Sequence, residues 1–364
     1  MRCLQIRKTL RLKIPFGKTI LLAALFLLIA VGALEGAARV IAAQNSTIVP
    51  SVGSPHRQFE ISLARLDAFA RSGRVDCIFL GSSVVYRGIN PDAFGEAYAA
   101  VTGQPLRCFN LGIQALTAST AGKLARIVVQ DYRPALLIYG TTAHDLSAAA
   151  DAGAVSALEQ TPWFAYRSGQ FNVEGWLVEH SYALRYYLVQ RDWMKQSYAE
   201  YVSDTRADEA AILPNGFNPR RGTNLTSGKP LTPHQRRRLA RLYGQFAIGS
   251  AHLQGLEQLL GLNSPETRVL LVEMPIHPQL FDFFPNGKRD YDAFVTTVER
   301  AAAAHQVPVW RALPADALPD AIWYDMGHMN AQGAEFYSRW LGRGLGEAVV
   351  NRKIPDPRRL ALER

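Results

Sequence analysis

The sequence predicts an α/β fold of three layers, a central parallel sheet covered on both faces by helices. Two observations carry this expectation. Short apolar runs alternate with longer segments of helical periodicity, first over residues 57–145 and again over 265–350. The first three apolar runs each give way to a glycine (Gly81, Gly112 and Gly140), as a strand does where it hands over to a loop. A third observation adds a segment outside the sheet domain: a basic N-terminus runs straight into a long apolar stretch.

That stretch comes first in the chain. Residues 1–18 hold Arg2, Arg7, Lys8, Arg11, Lys13 and Lys18 and no acid, so two thirds of the formal net charge of +9 sits in this tail. The high pI is therefore no footprint of nucleic-acid binding, and no nucleic-acid partner is expected. The run Thr19–Leu34 carries no charge, and a spanning helix needs roughly 20 residues. Glu35 and Arg39 lie four apart and can pair on one helix face, which extends the apolar pattern through residues 40–43. A cleavable signal peptide is the rival reading. An uncleaved anchor over 19–43 is preferred, because Arg39 directly follows the small residues Ala37-Ala38 where cleavage would fall. Either way the cationic flank stays cytoplasmic and the chain beyond about residue 45 is exported.

Residues 44–56 read as a linker. Within the α/β domain, taken as 57–350, helical periodicity covers Phe59–Ala70, Pro91–Val101 and Ala118–Gln130. Strands are expected at Asp76–Leu80, Arg107–Leu111 and Ala135–Tyr139. The alternation then stops. Residues 150–230 are rich in Trp and Tyr and read as an insertion that packs over the sheet's edge as a cap. One long helix is expected from Thr232 to Leu262, with Thr232 as its N-cap and Pro233 behind it. A strand at Arg268–Glu273, a helix at Tyr291–Ala304, a short strand at Val307–Trp310 and a last helix from Ala331, capped by Asn330, complete the domain. A charged tail occupies 351–364. Apolar content of 48% with 20% charged residues is that of a globular chain, not a disordered one.

Three cysteines bear on compartment. Cys3 falls in the cytoplasmic tail. Cys77 and Cys108 lie on predicted strands, where an exported domain permits a disulfide and buried free thiols are the commoner outcome. No Cys/His spacing reads as zinc, and no metal or cofactor is expected.

In an open parallel sheet, ligands bind beyond the carboxyl ends of the strands. Gly81-Ser82-Ser83 follows the first strand and Asn110-Leu111-Gly112-Ile113-Gln114 forms the end of the second. Gly140-Thr141-Thr142-Ala143-His144-Asp145 closes the third, and Asp325-Met326-Gly327-His328 lies past the fifth. Serine is a weak nucleophile until a histidine takes its proton, and that histidine works best when a carboxylate fixes its tautomer. A serine at a strand end with Asp-x-x-His near the C-terminus supplies these parts. Against this, Gly-Ser-Ser is often only a helix N-cap turn, and Asp-x-x-His can be a cap.

On these motifs the chain resembles the SGNH (GDSL-like) hydrolase superfamily, with its flavodoxin-like three-layer sheet, and within it the membrane-anchored, exported branch that acylates or deacylates cell-surface polymers. The resemblance covers roughly 75–145 and 265–345. It implies Ser83 as nucleophile, His328 as general base and Asp325 as its orienting carboxylate. It also implies the amides of Ser83 and Gly112 as oxyanion donors, with Thr142 at the third donor position. Two positions depart from the family pattern. Ser82 stands where the family has aspartate, which leaves Ser82 as an alternative nucleophile, although family register favours Ser83. Thr142 stands where the family has asparagine, and loss of one oxyanion donor typically costs on the order of 10²–10³ in rate. Anchored relatives often lack this asparagine. Ser82, Gln114, His144 and His277 are further candidates for the cleft, His144-Asp145 being read chiefly as a locally bonded turn.

The expected activity is serine-dependent O-acyl transfer to an exported polysaccharide or lipid-linked glycan. A membrane-embedded O-acyltransferase is the acyl-supplying partner that the resemblance implies. An esterase of the same fold, or a non-catalytic scaffold subunit, are the alternatives.

Overall fold

The computed structural model describes residues 16–44, 49–150, 157–193, 198–222, 231–313 and 318–358. Most of the basic tail, Cys3, part of the linker and parts of the insertion and C-terminal tail lie outside them.

Five parallel strands form one sheet in the order β2-β1-β3-β4-β5. They are β1 (Cys77–Gly81), β2 (Cys108–Gly112), β3 (Leu136–Thr141), β4 (Arg268–Glu273) and the short β5 (Val309–Trp310). Successive side chains of a strand point to opposite faces, and the core divides accordingly. Ile78, Leu80, Phe109, Leu111, Leu137 and Tyr139 belong to one apolar layer. It is covered by helices α2 (Arg57–Arg71) and α5 (Ala118–Tyr132), together with two later helices given below. Cys77, Phe79, Cys108, Leu136 and Ile138 belong to the other. There the cover is α3 (Ser83–Gly88), α4 (Pro91–Thr102) and the C-terminal helix. The three-layer α/β class read from the sequence holds.

The strand ends explain where α3 sits. Gly81 pairs in register with Gly112 on one side and Gly140 on the other. A Cβ on Gly112 would lie 2.2 Å from the Tyr86 backbone nitrogen, and one on Gly140 would lie 2.4 Å from Val85 Cγ2. Three adjacent residues without side chains thus let α3 lie directly across the strand ends. A short helix, α6 (Ala143–Leu146), follows β3.

The insertion supplies α7 (Pro162–Arg167), α8 (Val173–His180), α9 (Tyr182–Trp193) and α10 (Tyr198–Ala211). Trp163 is buried against Phe59 of α2, with ring centroids 6.1 Å apart. Beyond α10 the chain lies along the free edge of β2, where the Asn110 amide donates to Asn215 O at 2.8 Å. A paired edge is a protected edge.

The long helix expected from Thr232 to Leu262 is two: α11 (Pro233–Tyr243), capped by Thr232, and α12 (Ser250–Leu260). The break at Gly244–Gly249 has a cause outside the segment. Its backbone bonds to the stretch after α6, with Ala148 N–H donating to Ala247 O at 2.7 Å and Gly249 N–H to Leu146 O at 2.9 Å. Helix α12 and α13 (Lys288–Ala304) complete the first helical layer. Helix α14 (Ala331–Val350) starts at Asn330, whose side chain accepts from the amides of Gln332 and Gly333 as a cap should.

Helix α1 (Phe16–Ala43) is long and apolar enough to span a membrane over Gly17–Ala43, with a mean hydropathy of 2.4. The pairing expected of Glu35 and Arg39 is present at 2.8 Å. Glu35 also accepts from the Ser181 hydroxyl and from the Tyr182 and Ala183 amides at 2.9–3.1 Å. A residue of the apolar helix therefore caps the first turn of α9. Cys77 and Cys108 face each other in register on adjacent strands and are free, buried thiols.

Candidate active site

Asp325 and His328 occupy a structure that the sequence pattern does not announce. They are cross-strand partners in a small antiparallel hairpin of β6 (Trp323–Asp325) and β7 (His328–Met329), closed by Met326-Gly327. The hairpin places both side chains on one spot. His328 Nδ1 lies 2.8 Å from Asp325 Oδ1, which also accepts from the Gly327 amide at 2.9 Å. Burial pushes the Asp325 carboxyl up. The bond and charge of His328, the Gly327 amide and the charge of Arg87 outweigh it and hold the group below its ordinary range. In the neutral imidazole, with its one proton at Nδ1 on the carboxylate side, Nε2 is an acceptor.

That acceptor meets Ser83. Ser83 Oγ stands 2.8 Å from His328 Nε2, across 245 residues of chain. Ser82 does a different job. It is buried and serves as the N-cap residue of α3, its carbonyl accepting from Val85 and Tyr86. Asp325 and His328 form no helix cap, since Asn330 holds that position for α14.

The remaining sequence candidates separate. Gly112 was expected to offer its amide to an oxyanion, but that N–H donates to Asn110 Oδ1 at 2.8 Å. The reason lies in the support of α3: buried Asn110 gives its Nδ2 protons to Val85 O and Ile89 O at 2.8 and 2.7 Å and holds Gly112 with its oxygen. Thr142 is buried at the N-cap of α6, with its amide on Asp145 Oδ2 at 2.9 Å. His144 and Asp145 belong to that turn, and His144 stands edge-on to Tyr243. His277 is buried behind the hairpin rather than open to a cleft. Its amide donates to Met326 O at 3.0 Å, and its ring packs on Trp323.

Gln114 sits in the turn after β2. Its amide donates to Gln58 Oε1 and its carbonyl meets His56 Nε2, both at 3.0 Å. Burial lowers the pKa of His56, the bond to Gln114 opposing it, as suits a neutral ring that donates from Nε2. The next residue, Ala115, has φ of 61° and occupies the third position of the Ile113–Leu116 turn, where glycine is usual. The Ile113 amide donates to Gly81 O at 2.9 Å, which sets this turn beside the Ser83 turn. The amides of Ser83 and Ala115 have no acceptor among the described residues. His56, Gln58 and Ala115 escaped the sequence reading, and Asn110 stood in its second block without a role of its own. Only an unusual φ marks Ala115, and φ is invisible in a string of letters.

A cavity of about 650 Å³ lies elsewhere, lined by Arg39, Glu60, Arg65, Tyr182 and Arg185, and none of Ser83, Asp325 and His328 borders it. No group of three or more His, Cys, Asp or Glu that could hold a metal occurs among the described residues.

No protein-family model and no curated protein sequence matches the chain. Among solved structures, the inhibitor-bound form of the M. smegmatis aryl esterase is similar at 13% identity. It covers 76% of this chain and 99% of that one, with a TM-score of 0.33, too loose a superposition to carry anything about function.

Proposed function

We propose that this chain is a membrane-anchored, serine-dependent O-acyltransferase whose α/β domain works on the extracytoplasmic side on a cell-surface or exported polysaccharide. The observation that carries the reading is the line of contacts from Ser83 through His328 to Asp325, each 2.8 Å long.

In this mechanism Ser83 Oγ attacks the acyl carbonyl of the donor as His328 Nε2 takes its proton. Asp325 holds the Nδ1–H and stabilises the imidazolium. His328 then returns the proton to the leaving oxygen, and the acyl group rests on Ser83. An acceptor hydroxyl gives its proton to His328 and attacks the ester, and His328 passes that proton to Ser83 Oγ as the acyl–oxygen bond breaks. The Ser83 and Ala115 amides are the donors proposed for the oxyanion, Ala115 replacing Gly112, whose amide is engaged; the Thr142 hydroxyl keeps the third donor position, its amide being held by Asp145. A threonine hydroxyl reaches less far than the asparagine amide it stands for, and a weaker third donor favours an activated acyl donor over a stable ester. That supports transfer over efficient hydrolysis. The anchor favours a polymeric or membrane-bound acceptor, and a membrane-embedded acyltransferase is the proposed source of the acyl group.

A fluorophosphonate probe tests the assignment on full-length protein. Wild type is expected to label and Ser83→Ala to lose the label, with Ser82→Ala labelling like wild type. Equal labelling of wild type and Ser83→Ala would refute it. Esterase action differs only in the acceptor, and product analysis on a defined acetylated glycan separates the two.

A further inference from the structure

The insertion brings to the site a charge that the acyl-transfer steps do not use. Asn218 is fastened to α3, its amide donating to Tyr86 O at 3.1 Å and its Nδ2 to Tyr86 Oη at 2.9 Å. Two residues on, the Arg220 carbonyl accepts from the Ala331 amide at 2.7 Å, which ties it to the start of α14. Its guanidinium carbon lies 5.6 Å from the centre of the Tyr324 ring, the residue before Asp325. Arg87 comes to the same place from α3, one helical turn after Ser83 and so on the same face.

Neither guanidinium forms an ion pair or hydrogen bond among the described residues, and the Nε of each is buried without an acceptor. Folded proteins rarely leave buried donors unmet, and both side chains are half-buried. Asp325 is close enough for Arg87 to feel its charge, but its Oδ1 is already held by His328 and Gly327. The two cations also feel each other: burial first, then the charge of Arg220, lowers the pKa of Arg87. Two positive groups therefore meet beside the hairpin, Arg87 near Asp325 and Arg220 over Tyr324, with forked donors still to be satisfied.

We propose that Arg87 and Arg220 form an anion-binding subsite beside Ser83 that takes a carboxylate or phosphate carried by the substrate, which deepens, and rests on, the acyl-transfer reading of this site. Guanidinium forks match both groups in geometry, and each bond to them is charge-assisted. The substrate is thus an acidic glycan or a phosphorylated carrier, and the anion sets which ester or hydroxyl reaches Ser83.

Calorimetric titration of full-length Ser83→Ala with glucuronate, inorganic phosphate and glucose tests this without turnover. At least one anion is expected to bind and glucose is not, and the better of the two names the group. Affinity is expected to fall about tenfold or more when Arg87→Gln or Arg220→Gln is added, and to return in part with Arg220→Lys. Arg220 lies in a loop, so its variants serve if Arg87→Gln unfolds. No heat from either anion, or equal affinity in the parent and the glutamine variants, would overturn the subsite. Anion binding that persists in a protein whose Ser83 never labels with fluorophosphonate sinks the acyl-enzyme reading and leaves this one standing.

Discussion

A two-residue turn decides the chemistry of Asp325 and His328. Had the four residues been helical, the pair would lie on one helix face, and the carboxylate would serve the backbone as readily as the imidazole. The hairpin makes them direct cross-strand neighbours and uses the Gly327 amide to hold the carboxylate charged. Asp325→Asn removes the charge and inverts the preference for the Nδ1 proton. The expected result is a fall in kcat of about 10⁴, with circular dichroism and the thermal midpoint near those of wild type. Collapse of the fold in this variant would mean that Asp325 is structural. Ser83 and Ser82 illustrate the limit of reading letters: neighbours of identical chemistry, one facing His328 and the other buried at the N-cap of α3.

At the scale of elements, the strands were legible because they are buried on both faces. The runs at Cys77–Gly81, Cys108–Gly112, Leu136–Thr141 and Arg268–Glu273 lie within one or two residues of expectation. Helix α3 was not legible. Six residues with two adjacent valines have no helical signal of their own, and the segment is helical because Asn110 and the glycine floor hold it there. The break between α11 and α12 was missed for a like reason, since its cause is a backbone pairing with residues a hundred positions upstream. Arg220 gave no sign because nothing in an irregular insertion says that it folds back on the hairpin at Tyr324. The glycine floor leads to a sharp expectation. Gly112→Ala puts a methyl against backbone at Tyr86, which no side-chain rotation relieves. It is expected to cost about 1–3 kcal/mol in stability and to displace α3, so that fluorophosphonate labelling of Ser83 slows even in protein that remains folded by circular dichroism. Unchanged labelling would show that the floor does not set the position of Ser83.

For the molecule as a whole, the notable junction is that of α1 with α9. Glu35→Ala in full-length protein removes three hydrogen bonds and an ion pair at once. In nanodiscs it is expected to speed limited proteolysis across residues 157–222 while leaving the rate of Ser83 labelling as in wild type. Proteolysis at the wild-type rate would mean that the junction carries no load. Arg39 adds a second bond across the same seam, to His180 O at 2.9 Å. Bonds of this kind turn a leash into a mast. A domain on a leash tumbles and samples every height and heading above the bilayer, whereas a domain on a mast shows its open side to one level and one bearing. If the proposed polymeric acceptor is right, it would then pass the serine along a fixed track, and the positions modified on it would follow a spatial ruler measured from the lipid surface.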